Sequence, residues 1–149
     1  DELRAVRSME PVFQLETQLA GVIDDPRIWK PCAEIIGCPK LSLFSDKLNV
    51  KRPGGAPVPW HQEGPYWAYG AEDLERVITL ILYLDDATVE NGCCWVLPGS
   101  HRWGLLDGAR GEDMNVRMEE DIESRGAPTP VPLEPGSALF MFYFCLHTS

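Results

Sequence analysis

Hydrophobic and polar positions follow two different periods along the chain, and the change falls near residue 40. Before it, apolar residues recur at helical intervals between residues 10 and 24, which predicts a helix with one apolar stripe, formed by Val12, Leu15, Leu19 and Val22. The segment PCAEIIG, residues 31 to 37, predicts a second helix, because Pro31 suits a first helical turn and Gly37 suits a C-terminal end. The N-terminal part is therefore expected to be helical.

Beyond residue 40 the pattern is typical of β-structure. The segment LSLFSDKLNVK, residues 41 to 51, alternates apolar and polar positions and predicts a strand. Short strands are also predicted for WHQEG at 60 to 64, RVITLILYLDD at 76 to 86, CCWVLP at 93 to 98 and LFMFYFCLH at 139 to 147. Helices followed by many short strands favour a β-sandwich or barrel with helices packed on one side.

Residues 104 to 130 interrupt the strand pattern. This segment is polar, acidic and rich in Gly and Pro. Long segments of this kind inside a compact domain are typical of functional lids or of disordered loops. We expect a lid loop here.

Length, charge and cysteine content narrow the class of protein. The 149 residues suffice for one domain with a hydrophobic core, and a net charge of −10 disfavours nucleic acid because acidic surfaces repel phosphates. No signal peptide and no apolar run near the ~18 residues of a membrane span are recognisable, so no membrane partner is expected. The five cysteines lack C-x-x-C spacing and are expected to be reduced thiols of a cytoplasmic protein. The abrupt ends predict a fragment, and the oligomeric state is not readable.

The candidate chemistry lies in the three histidines of the chain. In a strand, residues two apart share a face, so His61 and Glu63 are expected to project side by side. His147, at the end of an apolar run, is the natural third ligand. Two histidines and one carboxylate suit non-haem Fe(II), because three positions on the metal stay open for a co-substrate and O₂. Taken alone, His-x-Glu is more often a surface pair than a ligand pair.

Four segments together resemble the phytanoyl-CoA dioxygenase family of Fe(II)/2-oxoglutarate oxygenases. They are KRPGG at 51 to 55, WHQEGPYW at 60 to 67, DDATVENGCCWVLPGSHRWG at 85 to 104 and PLEPGSALFMFYFCLHTS at 132 to 149. The most specific is the third, which is close to the family's N-G followed by P-G-S-H. The resemblance implies a mainly β, double-stranded β-helix (jelly-roll, cupin-like) fold with helices packed outside. It implies a single dioxygenase domain over residues 1 to 149, lacking N-terminal helices and the closing C-terminal strand.

By the same resemblance, His61, Glu63 and His147 match the iron ligands, although most members have Asp where this chain has Glu63. The expected reaction hydroxylates a small organic molecule and, with O₂, decarboxylates 2-oxoglutarate to succinate and CO₂. The cation for 2-oxoglutarate is expected beyond Ser149, since the family's arginine lies about ten residues past the distal histidine. Ser149 matches a family serine that contacts the co-substrate.

Further residues carry weaker expectations. Lys47 lies near a position that lines the family's co-substrate pocket, and Thr79 and Tyr83 share one strand face that could point into the barrel. Ordinary core or surface roles are an equal alternative for all three. The aromatic residues around the motif are expected either to line the substrate mouth or only to pack: Trp60, Tyr66 and Trp67.

Some motif residues are expected to be structural. We interpret His101, in P-G-S-H, as tying down its loop through a ring hydrogen bond. Phe140, Phe142 and Phe144 are expected to form a core stripe facing away from His147, and the acidic run from Glu119 to Asp121 a solvated surface.

Two other functions stay open at this stage. The domain could be a non-catalytic jelly-roll that binds a metal or a ligand, which the change from Asp to Glu63 and the cation expected outside the chain both suggest. A zinc hydrolase is weaker, because the sequence offers no general base beside the metal ligands.

Overall fold

The computed structural model describes residues 7–63, 71–106 and 122–149, and the chain forms two compact units, Asp1–Gly55 and Ala56–Ser149. The N-terminal unit contains a two-stranded antiparallel ladder, in which β1 (Ser8–Met9) pairs with β2 (Leu48–Asn49), and two helices, α1 (Thr17–Ile23) and α2 (Pro26–Ile36). That the whole chain is a single domain stays a prediction.

The helix predicted between residues 10 and 24 is shorter than expected. The backbone N–H groups of Val12 and Phe13 donate to the Asp46 carboxylate, which holds this stretch in a turn. Leu15 is 75% exposed, so it does not belong to a buried stripe. The helix begins only at Thr17, where the Glu16 side chain accepts from the Gln18 N–H.

The second helix, predicted over residues 31 to 37, begins five residues earlier than expected. It begins at Pro26, with Asp25 as the N-cap, and Pro31 therefore lies inside the helix rather than in its first turn. Its C-terminal end was predicted correctly, since Gly37 caps it with φ of 71°, a left-handed conformation that glycine adopts without strain. The strand predicted over residues 41 to 51 is reduced to β2, and most of that segment is irregular and exposed.

The C-terminal unit contains two antiparallel sheets. Their strands are β3 (Ile78–Leu82), β4 (Cys94–Val96), β5 (Thr129–Val131), β6 (Ala138–Phe142) and β7 (His147–Thr148). In the first sheet β3 pairs with β6. In the second sheet the central strand β4 pairs with β5 on one side and with β7 on the other. Short helical elements lie at α3 (Ala71–Leu74), at a 3-10 turn over Ser100–Trp103 and at α4 (Ile122–Arg125).

The apolar run over residues 139 to 147 is not one strand. β6 ends at Phe142, a turn closed by the Cys145 N–H donating to the Phe142 carbonyl follows, and β7 continues in the other sheet. The expected stripe of core phenylalanines is wrong in part. Phe142 is 42% exposed, whereas Met141, on the opposite face of β6, is buried against Thr79. The chain thereby changes sheets just before His147.

Asn91 and Gly92 form part of the turn that leads into β4. The Asn91 side chain accepts from the Thr88 N–H at 2.8 Å and donates to the Asp86 carbonyl at 2.8 Å. Gly92 follows with φ of 88°, which a residue with a side chain rarely adopts. This closed turn sets the register of β4.

Two small core clusters hold the C-terminal unit together. One contains Leu97, Ile122 and Leu146, and Trp60 packs against it. The other contains Leu74, Tyr143 and Phe144. The part of the predicted lid that is described belongs to the fold, since Ile122 is buried and residues 129 to 131 form β5. Residues 107 to 121, including the acidic run at Glu119 to Asp121, and the aromatic pair Tyr66 and Trp67 lie outside the described residues.

No helix within the described ranges is long and apolar enough to cross a membrane. The five cysteines are all free thiols.

Candidate metal centre

Two histidines are brought together by a backbone bridge at the edge of the second sheet. His61 and His147 are antiparallel partners: the His61 N–H donates to the His147 carbonyl at 2.9 Å and the His147 N–H donates back at 3.0 Å. Val58 and Ser149 exchange a second such pair of bonds, at 2.8 and 3.3 Å. Because residues directly opposite one another share a face of a sheet, the two imidazoles lie side by side with ring centroids 4.1 Å apart.

Glu63 completes the cluster from the same segment as His61. Its Oε1 lies 3.5 Å from Nε2 of His61 and 3.5 Å from Nε2 of His147. Ligand atoms of the three residues all lie within 4.8 Å of one another. Within residues 7–63, 71–106 and 122–149, no other group of three or more His, Cys, Asp or Glu is arranged to hold a metal ion.

The remaining ring nitrogens determine which atoms face the cluster. Nδ1 of His61 lies 2.8 Å from the Pro59 carbonyl, and Nδ1 of His147 lies 2.9 Å from the Cys145 carbonyl. A carbonyl can only accept, so each Nδ1 carries the proton, and a neutral ring then presents the Nε2 lone pair to the cluster. Second contacts of this kind orient histidine ligands in metal sites.

Three electron-rich groups therefore converge on one point. Two Nε2 lone pairs and a carboxylate repel one another unless a cation or a proton lies between them. A divalent metal ion satisfies all three at once, and the donor set of two imidazoles and one carboxylate is that of non-haem Fe(II) sites. The residues present fit an iron ion.

The charge state of Glu63 is compatible with this role. Burial alone raises the pKa of the Glu63 carboxyl, but hydrogen bonds and charge from His147 and His61, when a proton rather than a metal ion lies on their Nε2 atoms, outweigh burial and hold the pKa well below its ordinary value. Glu63 is therefore ionised at neutral pH, and its carboxylate needs no deprotonation before it binds a cation.

Gln62 anchors the segment of His61 and Glu63 from the opposite face. It is 1% exposed, and its amide nitrogen donates to the Gly104 carbonyl at 2.9 Å and to the Phe144 carbonyl at 2.7 Å. Its amide oxygen accepts from the Leu106 N–H at 3.0 Å. A buried amide with three partners fixes the backbone that carries His61 and Glu63. The alternation of a strand predicts only that Gln62 points away from His61 and Glu63.

Ser100 anchors the second histidine. It is fully buried, and its Oγ accepts from the Leu146 N–H at 2.8 Å, one residue before His147. The serine of P-G-S-H therefore fixes the start of β7. A sequence signal was present for Gln62, because a polar residue between His61 and Glu63 lies on the opposite face of an extended segment, and a polar group that is buried there needs partners. For Ser100 the signal was only its place in the P-G-S-H motif.

His101 packs against an aromatic ring. Its imidazole stacks on Phe142 with centroids 5.4 Å apart and an interplanar angle of 17°. The expectation of a structural role agrees with this contact, and the expected ring hydrogen bond remains a prediction. Trp60 packs on the core cluster of Leu97 and Leu146. This contact agrees with the alternative that Trp60 packs in the fold rather than lines the substrate mouth.

The residues expected to contact 2-oxoglutarate lie in different places. Ser149 is next to β7 and pairs with Val58 through its backbone, beside the histidine bridge. Thr79 is half-buried in β3, and Tyr83 follows that strand in the first sheet. Burial raises the pKa of Tyr83 to about 12, although a hydrogen bond with the Cys94 backbone acts in the opposite direction. Because Cys94 is the first residue of β4, the tyrosine hydroxyl reaches from the first sheet to that strand. Lys47 is exposed in the N-terminal unit. A role of any of them in binding the co-substrate stays a prediction.

Comparison with solved structures confirms the jelly-roll fold. EctD of S. alaskensis with bound Fe superposes with a TM-score of 0.82 at 20% identity, covering 99% of this chain and 52% of that one. The carbocyclase SnoK from nogalamycin biosynthesis superposes with a TM-score of 0.77 at 23% identity, covering 95% of this chain and 55% of that one. The expected packing of helices on the outside of the sheets stays a prediction.

Sequence comparison adds the family. A methylphosphonate hydroxylase of Gimesia maris is 34% identical over 139 residues, which are 93% of this chain and 47% of that protein. An ectoine dioxygenase of Streptomyces anulatus is 28% identical over 129 residues, 84% of this chain and 42% of that protein. The chain thus spans less than half the length of these curated relatives. The profile of the phytanoyl-CoA dioxygenase family matches residues 4–149, and the chain therefore belongs to that family.

Proposed function

We propose that the protein is an Fe(II)- and 2-oxoglutarate-dependent dioxygenase that hydroxylates a small organic molecule. The observation that carries the proposal is the convergence of two imidazole Nε2 atoms and one carboxylate oxygen, from His61, His147 and Glu63, on one point. Such a set holds non-haem Fe(II) and leaves positions for a bidentate co-substrate and O₂. Family membership supports the same chemistry, as do the relatives whose names are methylphosphonate hydroxylase and ectoine dioxygenase.

In this proposal His61, Glu63 and His147 hold the iron, while Gln62 and Ser100 keep the backbone of the ligands in place. When bound, the iron supplies activation of O₂ with 2-oxoglutarate as the reductant. The reaction balances as substrate C–H plus 2-oxoglutarate plus O₂ giving substrate C–OH plus succinate plus CO₂. One oxygen atom enters the alcohol and the other enters succinate.

Contacts with 2-oxoglutarate are part of the proposal. Ser149 is the first candidate, because it lies two residues past His147 and its backbone extends the histidine bridge. Thr79 and Tyr83 are weaker candidates, and for Lys47 the support is the family resemblance alone. A cytoplasmic location, which the five free thiols support, belongs to the same proposal.

Turnover of 2-oxoglutarate tests the proposal in the whole natural protein that contains this chain. Loaded anaerobically with Fe(II) and then given O₂, the wild type is expected to form succinate, and His61→Ala and His147→Ala are expected to form almost none. His101→Phe, which keeps a stacking ring, is the matched histidine control and should retain turnover. Wild-type turnover in both alanine variants would refute the assignment of the ligands.

The same assay separates the proposal from a metal-binding relative without catalysis. If the wild type binds Fe(II) but forms no succinate, either with or without a substrate present, the alternative of a metal-binding protein without catalysis is supported. Hydrolysis by the Zn(II)-loaded protein, with no succinate formed by the Fe(II)-loaded protein, would support the hydrolase.

A further inference from the structure

The residues on either side of positions 107 to 121 pack in one apolar cluster. This flank cluster has three buried members and two partly buried ones, namely Leu97, Ile122 and Leu146, and then Trp60 and Leu106. A second contact joins the same two flanks, because the Arg125 guanidinium lies over the Trp103 ring, 5.9 Å from the ring centroid. The chain before position 107 and the chain after position 121 are thus held together by their own side chains.

The flank cluster is continuous with the segments that carry the proposed ligands. Trp60 directly precedes His61, and Leu146, which is fully buried, directly precedes His147. Successive residues of an extended segment point to opposite faces, so the cluster lies behind the face on which the two imidazoles meet. A change in the packing of the cluster therefore reaches each histidine through a single peptide unit.

Gln62 makes a polar link between the same two places. Its backbone lies between His61 and Glu63. Its side-chain amide donates to the Gly104 carbonyl at 2.9 Å and accepts from the Leu106 N–H at 3.0 Å. Gln62 is 1% exposed, so water does not replace these bonds when they break. Displacement of Leu106 therefore costs a buried hydrogen bond of the residue that connects two proposed ligands.

We propose that Leu106 and Ile122 are positioning residues of the metal centre, and that metal binding and the packing of the flank cluster stabilise each other. The inference rests on the proposed function, in that the three residues of the candidate centre bind Fe(II). Binding fixes the segment of His61 and Glu63, and Gln62 then holds Leu106 in place. Such linkage is reciprocal, so an intact flank cluster raises the affinity for the metal. Neither positioning residue is assigned a contact with the metal or with the substrate.

Hydrogen exchange tests the inference in the unmodified protein and without turnover. The whole natural protein that contains this chain is compared with and without Fe(II), under anaerobic conditions and without 2-oxoglutarate. The Leu106 amide is expected to exchange about tenfold more slowly with the metal, because its bond to Gln62 opens less often. The Leu133 amide, which donates to the Ala87 carbonyl in the same unit, is the control and should change by less than about twofold.

Metal affinity provides the reciprocal measurement. Leu106→Ala and Ile122→Ala are each expected to weaken Fe(II) binding about fivefold in anaerobic calorimetry. Leu105→Ala is the matched control, because Leu105 is 41% exposed and does not belong to the flank cluster, and it should bind within about twofold of the wild type.

A positioning role differs from a merely structural one in this assay. Affinities are measured at a temperature at which each metal-free variant is folded by circular dichroism, so that lost stability alone does not lower them. A merely structural role would lower the melting temperature of Leu106→Ala and leave the affinity of the folded protein unchanged. If Ile122→Ala does not fold, Leu106→Ala and the exchange measurement decide.

The outcomes separate this inference from the proposed function. If the wild type binds no Fe(II), both are overturned. If it binds Fe(II) and the metal slows exchange equally at Leu106 and Leu133, the metal only stabilises the unit as a whole, and the inference alone is wrong. Wild-type affinity in the folded Leu106→Ala protein would overturn it as well. Succinate formation by the wild type would then still support the proposed function.

Discussion

His61 and His147 donate backbone hydrogen bonds to each other, at 2.9 and 3.0 Å, and their rings lie 4.1 Å apart. The two proposed ligands are thus held by the main chain of the sheet as well as by their side chains. A ligand pair on paired strands is rigid before a metal arrives, which lowers the ordering cost of binding.

Gln62→Leu is expected to lower the free energy of unfolding by about 3 kcal/mol, because two carbonyls and one N–H lose their buried partner. Urea unfolding of the metal-free protein measures the effect. Gln14→Leu, at an exposed position, is the matched control and should lie within about 0.5 kcal/mol of the wild type. A Gln62→Leu protein as stable as this control would contradict the anchoring role.

Ser100→Ala is expected to cost about 1–2 kcal/mol, since the Leu146 N–H is left without its acceptor in a buried position. Hydrogen exchange provides a local readout: the Leu146 amide should exchange faster in the variant. Ser42→Ala, on an exposed stretch, serves as the control. Unchanged protection of the Leu146 amide would show that the Ser100 hydroxyl does not hold the start of β7.

His101→Ala is expected to destabilise the protein by about 1 kcal/mol through loss of the stacked contact with Phe142, whereas His101→Phe retains the stack and the stability. Chemical denaturation of both variants checks this. If His101→Phe unfolds as easily as His101→Ala, the imidazole nitrogens matter more than the stack, and a ring hydrogen bond becomes the better account.

The stability of the metal-free protein is expected to depend on pH through Glu63. Because the pKa of Glu63 in the folded protein lies below its ordinary value of 4.5, the ionised side chain stabilises the folded state above that value. This stabilisation is lost as the pH falls below it. The free energy of unfolding of the wild type minus that of Glu63→Gln should therefore shrink from neutral pH to about pH 3. Urea unfolding with a chelator present measures the difference, and one that grows in acid would have the wrong sign.

Fe(II) affinity is expected to fall as the pH is lowered, because histidine binds a metal only in its neutral form and protons compete with the ion. Anaerobic calorimetry at several pH values measures this, and buffers of different ionisation enthalpy count the protons released. An affinity that does not change with pH would argue against imidazole ligands.

Several features follow from local sequence alone. The spacing of His61 and Glu63 puts them on one face in an extended segment, and Gly37 ends a helix because it adopts a left-handed conformation without strain. The motif segments identified the family and its fold. Local patterns were less reliable for boundaries, since the N-terminal helix yields to hydrogen bonds from Val12 and Phe13 to Asp46, a residue far along the chain.

Only the tertiary structure decided how the site is assembled. The pairing of His61 with His147 depends on a change of sheet after Phe142, which no periodicity in the apolar run 139 to 147 reveals. The roles of Gln62 and Ser100 depend on which distant backbone groups surround them. The sequence by itself determined which residues could bind a metal and which faces they share over a few positions. Hydrogen-bond partners across the sheet belong to the folded chain, because they join residues that the sequence keeps far apart.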